Sequence, residues 1–285
     1  MVRAIDIHVH PPGALGEGAL PSEEERPRQP GQFARQSSSA PELAEMYAEL
    51  DMLAVLLPID AETATGQKSL SNAAVADLVR QFPQQFVGFG SVDPAKGRVA
   101  LAQLDEIAEL GLLGVKFHPG MQAFVPNDRS VYPLWERCQE LGLVTIFHTG
   151  TTAVGAGQPG GGGVKLASSR PIPFIDDVAA DFPELRIVMA HPPFPWEREG
   201  LALLMHKSNV YMDLSGWAPQ YFDPLVVQYA KTIAQDKILF GSDWPALMPQ
   251  RWEAEFAAYE IEETVLAKIM AGNAAKLLGL EHLVG

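Results

Sequence analysis

Eight short apolar segments recur along the chain, and segments with helical periodicity separate each of them from the next. The apolar segments lie at 4–10, 52–58, 86–93, 113–119, 143–150, 185–192, 210–216 and 238–245. Strands that alternate with helices form parallel sheets, because each helix returns the chain to the edge where the next strand begins. Eight such units in 285 residues predict a (β/α)₈ barrel that occupies 1–285 as a single domain.

The segments between the apolar ones carry helix signals. Ser39 and Glu42 have capping-box spacing, and the apolar residues after them follow the i, i+3, i+4, i+7 rule. Gly111 and Gly142 each stand between a helical segment and an apolar one, which predicts left-handed helix caps. A doubly wound open sheet is the alternative topology, although the first apolar segment is not followed by a dinucleotide-binding glycine motif.

Two long loops are predicted. Residues 11–40, rich in Pro, Ser and Glu, form an insertion after the first strand that is either a lid or a surface excursion. Residues 149–165, TGTTAVGAGQPGGGGVK, lack the spacing of a dinucleotide-binding glycine motif and predict a mobile loop after the fifth strand.

The charge balance restricts the partners. A formal net charge of −14 argues against nucleic acid and against an anionic membrane surface, so the expected partner is a small-molecule substrate. The single cysteine, Cys138, lies in a helical segment and predicts a packing role in a reducing compartment. With no signal peptide and no membrane-spanning run, the sequence predicts a cytoplasmic protein.

Polar residues are concentrated at the ends of the predicted strands. These strand-end residues are His8, His10, Lys116, His118, His148, His191 and Asp243, which include five of the seven histidines. In a (β/α)₈ barrel the carboxyl ends of all the strands meet on one rim, where active sites are built.

Each strand-end residue taken alone has an ordinary explanation, such as a solvated histidine or, for Asp243, a turn or helix cap. Their concentration on one rim instead predicts a metal site made of His8, His10, His148 and Asp243. Three nitrogens and one oxygen with an open position suit Zn²⁺, with Mn²⁺, Fe²⁺ and Co²⁺ as alternatives, and no organic cofactor is expected.

The predicted site suggests a mechanism. A metal-bound water has a pKa of about 7, and the resulting hydroxide attacks carbonyl carbons. Asp243 is positioned to take a proton from that water, and His191 to act as an acid or base or to polarise a substrate oxygen.

The motifs HVH, FHTG, AHPPFPW, VYMDLSGW and FGSDWP together resemble the amidohydrolase superfamily. More narrowly they resemble its branch that contains aminocarboxymuconate-semialdehyde decarboxylase and related decarboxylases, lactonases and hydratases. The resemblance extends to NAAKLLGL at 273–280 and so covers essentially the whole chain. It implies metal ligands at His8, His10, His148 and Asp243, a catalytic His191, and a homodimer.

Two strand-end residues do not fit the simple ligand set. In binuclear members of the superfamily a carboxylated lysine bridges two metals, so Lys116 is either such a bridge or a partner for a carboxylate. His118 either binds the metal or supports a residue that does. The arginines that hold a carboxylate in decarboxylases have no motif here, and Arg170, Arg198 and Arg251 are candidates without supporting evidence.

The sequence therefore leads to a metal-dependent hydrolase that attacks an amide, an ester or lactone, or a β-ketoacyl carbon–carbon bond. The alternatives are a non-oxidative decarboxylase of an aromatic or enoic acid and a catalytically silent metal-binding barrel. Trp196, Trp217 and Trp244 follow strand ends, so with Phe194 they either line a pocket for a planar substrate or pack loops against the barrel.

Overall fold

The computed structural model describes residues 1–14 and 39–284. All the strand pairs are parallel. The strands are β1 Ala4–Val9, β2 Met52–Leu56, β3 Phe86–Gly88, β4 Gly90–Ser91, β5 Gly114–Phe117, β6 Val144–His148, β7 Ile187–Ala190, β8 Val210–Asp213 and β9 Ile238–Leu239. Most of the predicted 11–40 insertion, from 15 to 38, lies outside the described residues, so its role as a lid stays a prediction.

The strands close into a (β/α)₈ barrel, which confirms the predicted fold. They pair in the order β1-β2-β3 and β4-β5-β6-β7-β8-β9. The seam between the last and first strands is made by backbone hydrogen bonds: Ile7 N–H donates to the carbonyl of Phe240, and Asp243 N–H to that of His8. His10 N–H likewise donates to the carbonyl of Trp244.

The third predicted strand is divided in two. Its first part, β3, pairs with β2, and its second part, β4, pairs with β5, with Phe89 between them. Glycine is required at this division, because a Cβ on Gly90 would lie 2.3 Å from Cδ1 of Ile107 in the helix packed against it. The division therefore lets one segment of the chain pair with β2 on one side and with β5 on the other.

A β-bulge interrupts β1 just before the predicted metal ligands. Asp6 pairs with Ala54 and Val9 with Leu56, so three steps in β1 match two in β2. A bulge changes the direction in which the following side chains point, and bulges are common beside active sites. His8 lies within this irregular stretch.

Helices surround the strands. They are α1 Ala40–Glu49, α2 Glu62–Thr65, α3 Asn72–Gln81, α4 Arg98–Glu109, α5 Pro119–Gln122, α6 Tyr132–Glu140, α7 Phe174–Asp181, α8 Glu197–His206, α9 Pro224–Lys231, α10 Pro249–Phe256, α11 Glu263–Ala267 and α12 Asn273–Leu278. The Ser39–Glu42 capping box at α1 and the left-handed Gly111 and Gly142 are as predicted. Across 1–14 and 39–284, no helix is long and apolar enough to cross a membrane.

The apolar core lies on both faces of the strands, as expected for a parallel sheet. One cluster joins helix residues such as Leu104 and Trp135 to strand residues such as Phe147, and it includes the buried Cys138. A second cluster joins Ile5 and several other strand residues to α12. This packing leaves the carboxyl ends of the strands to carry the polar residues.

Candidate active site

His8, His10 and Asp243 come together where β1 meets the segment after β9. Oδ1 of Asp243 lies 3.4 Å from Nε2 of His8 and 3.2 Å from Nε2 of His10. The potential ligand atoms of the three residues lie within 4.8 Å of one another. Two imidazoles and a carboxylate at this spacing are suitable ligands for a divalent transition metal.

The hydrogen bonds of both histidines leave the ligating nitrogen free of a proton. Nδ1–H of His10 donates to the carbonyl of Leu57 at 2.7 Å, and Nδ1–H of His8 donates to Oδ2 of Asp213 at 3.0 Å. A neutral imidazole with a proton on Nδ1 has a lone pair on Nε2. A carboxylate that accepts from a metal-binding histidine in this way fixes the ring orientation and strengthens the ligand. The donor set therefore fits a metal ion.

His148 and His191 form a second part of the site. Nδ1 of His148 lies 3.2 Å from Nε2 of His191, and its own Nε2 lies 3.2 Å from the carbonyl of Thr151. His191 stacks on His8 with ring centroids 4.8 Å apart. Among the described residues, His191 forms a compact group with His8 and Asp213, while His148 belongs to neither compact group of potential metal ligands.

Lys116 brings a buried positive charge to the site. Its side chain is 1% exposed, and Nζ lies 3.1 Å from Nε2 of His8. Burial lowers the pKa of the ammonium to about 8, against the attraction of Asp213 and Asp243. Within 1–14 and 39–284, Lys116 has no carboxylate at ion-pair distance. The same environment, burial first and then the charge of Lys116, lowers the pKa of His8 to about 3.

His118 has no lone pair left for a metal. Its Nδ1 accepts from the backbone N–H of Met121 at 3.1 Å, and its Nε2 lies 3.2 Å from the hydroxyl of Thr152. The ring stacks on His148 with centroids 3.9 Å apart and an interplanar angle of 5°. His118 therefore supports the ring of His148.

The backbone is strained at both residues expected to handle protons. His191 has φ +73° and Asp243 has φ +62°, in the left-handed region that non-glycine residues rarely adopt. Such strain is concentrated at functional sites, where the surrounding structure holds it in place. At His191 the restraint is a hydrogen bond of 3.0 Å from its N–H to Oδ1 of Asp213.

Asp213 and Asp6 were missed by the sequence interpretation. Asp213 lies within the predicted segment 210–216 and is the last residue of β8, so the strand-end rule that identified the histidines could have found it. Asp6 precedes His8 by two residues, and it accepts from the hydroxyls of Tyr47 and Ser242 and from the N–H of Ser242. Both carboxylates are 0% exposed. Each touches His8, Asp213 at the ring and Asp6 at the backbone N–H.

The aromatic candidates lie in different environments. Trp217 packs against the half-exposed Phe194, with ring centroids 5.7 Å apart. Trp196 is half-buried, and Trp244 is 2% exposed and belongs to the apolar core. Of the candidate aromatic residues, Phe194 and Trp217 are thus the two that contact each other, and Phe194 lies three residues after the strained His191.

The three candidate arginines are exposed, unlike the buried histidines His8, His148 and His191. Arg170 is paired with Glu199 at 2.9 Å, and Arg251 with Glu255 at 2.8 Å. Arg198 is exposed. Lys116 is therefore the cation that the described part of the chain brings into contact with the histidines.

Comparison with known proteins agrees with this geometry. A family model described as amidohydrolase matches residues 5–280. This chain belongs to the amidohydrolase family. The resemblance inferred from its motifs is thereby confirmed. The branch of aminocarboxymuconate-semialdehyde decarboxylase is confirmed as well, because a relative with that activity in its name is found. The 2-amino-3-carboxymuconate-6-semialdehyde decarboxylase of Dictyostelium discoideum is 22% identical over 243 residues.

The coverage of these relatives differs. The match with the D. discoideum protein includes 74% of this chain but 66% of that relative, slightly less than two thirds of its length. An uncharacterised barrel protein of Bordetella bronchiseptica is 26% identical with a TM-score of 0.76, covering 98% of this chain and 99% of the other. A dihydroxybenzoic acid decarboxylase of Polaromonas, solved with manganese and 2-nitroresorcinol, has a TM-score of 0.66 at 19% identity, covering 99% and 98%.

Proposed function

We propose that this amidohydrolase is a metal-dependent decarboxylase of a small carboxylic acid. The observation that carries the proposal is the buried ammonium of Lys116, which lies 3.1 Å from Nε2 of His8 and has no carboxylate at ion-pair distance in the described part of the chain. A buried charge without a partner is unfavourable, so it favours the entry of an anion. A carboxylate substrate supplies that anion, and the activity named for the D. discoideum relative supports this choice.

The metal ligands in this proposal are His8, His10 and Asp243, with His148 as the fourth. A divalent ion bound to them supplies a Lewis acid that withdraws electron density from the substrate. Zinc is our first choice, because it prefers nitrogen and oxygen donors in this combination. The manganese bound in the Polaromonas structure makes Mn²⁺ the first alternative.

Residues of this chain have separate roles in the rest of the reaction. The ammonium of Lys116 orients the substrate carboxylate. The bond between the carboxylate carbon and its neighbour breaks, carbon dioxide leaves, and one proton replaces it on the substrate carbon. His191 is the group that delivers this proton, because its ring is stacked on His8 and tied through its backbone to Asp213. The reaction as a whole is R–COO⁻ + H⁺ → R–H + CO₂.

Hydrolysis is the second candidate, and Asp243 favours it. Burial alone would raise the pKa of this carboxyl, but the hydrogen bond with His10 and the charge of nearby histidines hold it well below its ordinary value. Asp243 is therefore ionised near neutral pH and can accept a proton from a water bound between it and the histidines. In that case water adds to a carbonyl carbon and no carbon dioxide is formed.

The experiment uses metal-depleted protein reloaded with Zn²⁺ or Mn²⁺. Both forms are assayed with the same panel of candidate substrates. The panel contains aromatic and enoic carboxylic acids together with lactones and esters, and both carbon dioxide and hydrolysis products are measured. Metal content per chain is determined on the same samples. Carbon dioxide release from an acid without a hydrolysable bond is the expected result.

Lys116→Met tests the observation behind the proposal. A hydrogen bond to a charged group contributes about 1.5–3 kcal/mol, so the KM for the acid is expected to rise ~10–100-fold. Lys96→Met is the control, because that lysine is already paired with Asp60 and Glu62. Hydrolysis products without carbon dioxide would support the second candidate. An unchanged KM in Lys116→Met would contradict the role of the lysine.

A further inference from the structure

The glycine-rich segment 149–165 is folded against the cluster of histidines, and Thr152 is the residue of this segment whose side chain meets His118. Oγ1 of Thr152 lies 3.2 Å from Nε2 of His118 and accepts from the backbone N–H of Val154 at 3.1 Å. His118 in turn stacks on His148. One ring, that of His118, therefore separates the Thr152 hydroxyl from a proposed metal ligand.

The backbone on either side of Thr152 is held in place. The N–H of Thr151 donates to the carbonyl of Phe194 at 2.8 Å. Val154 packs against a small buried cluster, which consists of Ile59, Ala61 and Met121. Thr152 lies between these two attachments, so its hydroxyl has a defined position beside the histidines.

The hydroxyl of Thr152 lies where the buried rings meet the surface. His118 is 4% exposed and His148 is 6% exposed, whereas Thr152 is half-buried and Phe194, which bonds to the residue before it, is half-exposed. All of these residues follow strand ends on the carboxyl-terminal rim of the barrel, the side from which a substrate reaches the site. Thr152 is thus placed to meet a ligand that enters there.

The hydrogen bonds of His118 determine what the Thr152 hydroxyl can do. Nδ1 of His118 accepts from the backbone N–H of Met121 at 3.1 Å, so Nδ1 carries no proton and the ring proton is on Nε2. Nε2–H of His118 therefore donates to Thr152. This assignment follows from the backbone donor, because an amide N–H cannot accept a hydrogen bond.

The oxygen of Thr152 therefore receives two hydrogen bonds, and its own proton is left to donate. His118 and Val154 both donate to it, which occupies both lone pairs of the hydroxyl. Across 1–14 and 39–284 this O–H has no acceptor at hydrogen-bond distance. The two fixed donors also restrict the direction of the O–H, because the proton takes the remaining tetrahedral position around the oxygen.

We propose that Thr152 is a specificity-determining residue, whose hydroxyl donates a hydrogen bond to an acceptor atom of the substrate other than its carboxylate. The inference rests on the proposed function, in which Lys116 binds the carboxylate. The substrate then has two polar groups, one for Lys116 and one for Thr152. A site built to hydrogen-bond a substrate in this way rejects an analogue that lacks the acceptor, because the donor is left unpaired.

Water alone is the competing partner for the Thr152 hydroxyl. A hydroxyl that is hydrated both before and after a ligand binds does not distinguish one ligand from another. A hydroxyl that donates to the ligand does distinguish them. The two possibilities therefore differ in one measurable quantity, the ratio of affinities for two ligands that differ in a single acceptor.

The test measures binding to the zinc-loaded protein by titration calorimetry. The probes are benzoate and its 3-hydroxy and 4-hydroxy derivatives, which place an oxygen at two positions of one ring and are unable to chelate a metal through the carboxylate and the hydroxyl together. We expect one hydroxy derivative to bind ~3–10-fold more tightly than benzoate, which is the effect of one neutral hydrogen bond.

Two variants of Thr152 separate its hydroxyl from its shape. Thr152→Val removes the hydroxyl, so the advantage of the hydroxy derivative should disappear while the affinity for benzoate is retained. Thr152→Ser keeps the hydroxyl and should keep the advantage. A merely structural role would instead lower the affinity for all three acids by the same factor.

Thr149→Val is the matched control. Thr149 belongs to the same segment and is 1% exposed, and its hydroxyl already donates to the carbonyl of Ala190 at 2.9 Å. Losing this internal bond is expected to reduce stability. The ratio of affinities for the hydroxy derivative and benzoate should stay as in the natural sequence.

Two results would overturn the inference. One is that neither hydroxy derivative binds the natural sequence more tightly than benzoate, which decides the matter even if a variant fails to fold. The other is an advantage that persists in Thr152→Val. The measurement involves no turnover, so a failure here is distinguishable from an absence of carbon dioxide release, which contradicts the decarboxylase proposal.

Discussion

Two buried carboxylates flank His8, and their surroundings have opposite effects. Asp6, with Tyr47 and Ser242, forms one network; Asp213, with Ser215 and His191, forms the other. Burial raises the pKa of Asp6 to about 6, and its hydrogen bonds with neutral hydroxyl and amide groups offset this only in part. Burial also acts to raise the pKa of Asp213, but the electrostatic interactions with His8 and His191 and the hydrogen bonds from His8 and Ser215 outweigh it and lower this pKa.

The difference shows what a histidine adds to a buried carboxylate. Neutral donors satisfy the oxygens of Asp6 and fasten β1 to α1 and to the segment that carries Asp243. Histidines also stabilise the negative charge of Asp213, so this carboxylate stays ionised and can orient the rings. We therefore expect Asp6 to affect mainly stability and Asp213 mainly metal binding, and the following experiments test that division.

The largest expected effect is the pH dependence of stability due to Asp6. The folded chain keeps a proton on Asp6 that the unfolded chain releases between the ordinary pKa of 3.8 and about 6. The stability of the folded state therefore falls as pH rises through this window. A shift of about two units corresponds to about 3 kcal/mol.

The measurement is urea unfolding of the natural sequence and of Asp6→Asn across this pH range. Other titrating groups are common to both proteins, so the difference between them reports Asp6. The advantage of the natural sequence over Asp6→Asn should decrease by about 3 kcal/mol as pH rises and be constant above about 6. A difference that does not vary with pH would mean that Asp6 is ionised throughout.

The next effect is on metal affinity. In Asp213→Asn an amide replaces the carboxylate that accepts from His8, and its NH₂ group favours a proton on the wrong nitrogen of the ring. Losing such a partner typically weakens metal binding ~10–100-fold, or about 1.4–2.7 kcal/mol. Competition with a chelator of known affinity measures this change.

Asp6→Asn is the control for metal affinity, since Asp6 reaches His8 only through the backbone N–H at 3.2 Å. Its affinity for zinc should change less than that of Asp213→Asn. Equal losses in the two variants would show that both carboxylates orient the ring and would remove the distinction between the networks.

The smallest effect is expected at Tyr47, whose hydroxyl donates to Oδ2 of Asp6 at 2.7 Å. Tyr47→Phe removes one hydrogen bond while Ser242 continues to donate to the same oxygen. We expect a loss of about 1 kcal/mol in the free energy of unfolding and unchanged zinc affinity.

Tyr132→Phe is the matched control, because that hydroxyl donates to the exposed Asp181 at 2.9 Å. A bond at the surface contributes little, so its loss should change stability by less than about 0.5 kcal/mol. A fall in zinc affinity in Tyr47→Phe would mean that the two networks are coupled through His8.

Much of the fold was predictable because local patterns determine it. Continuous apolar segments, the capping box at Ser39 and the glycines at 111 and 142 act within a few residues, and each gave the correct element. The division of the third strand at Phe89 was not predictable in this way. It depends on which neighbours β3 and β4 meet and on how closely Ile107 approaches Gly90.

The same limit applies to the site. Strand-end position brought His8, His10 and Asp243 into the prediction, and the structure places the three together. The sequence could not show which ring nitrogen of His8 carries the proton. This depends on Asp213 and Ser215, which are distant from His8 in sequence. Nor does any local pattern distinguish His118, whose two nitrogens are both engaged, from the histidines that leave one nitrogen free.

The position of the metal site at the seam of the barrel determines when the site can form during synthesis. His8 and His10 belong to the first strand of the barrel and its end, and they leave the ribosome before the other strands, while Asp243 follows the last strand. The three meet when Asp243 N–H bonds to the carbonyl of His8 and the ring of strands closes. An ion bound there would stabilise the closed barrel. Because it binds only the closed form, it shifts the equilibrium between open and closed barrels toward the closed one.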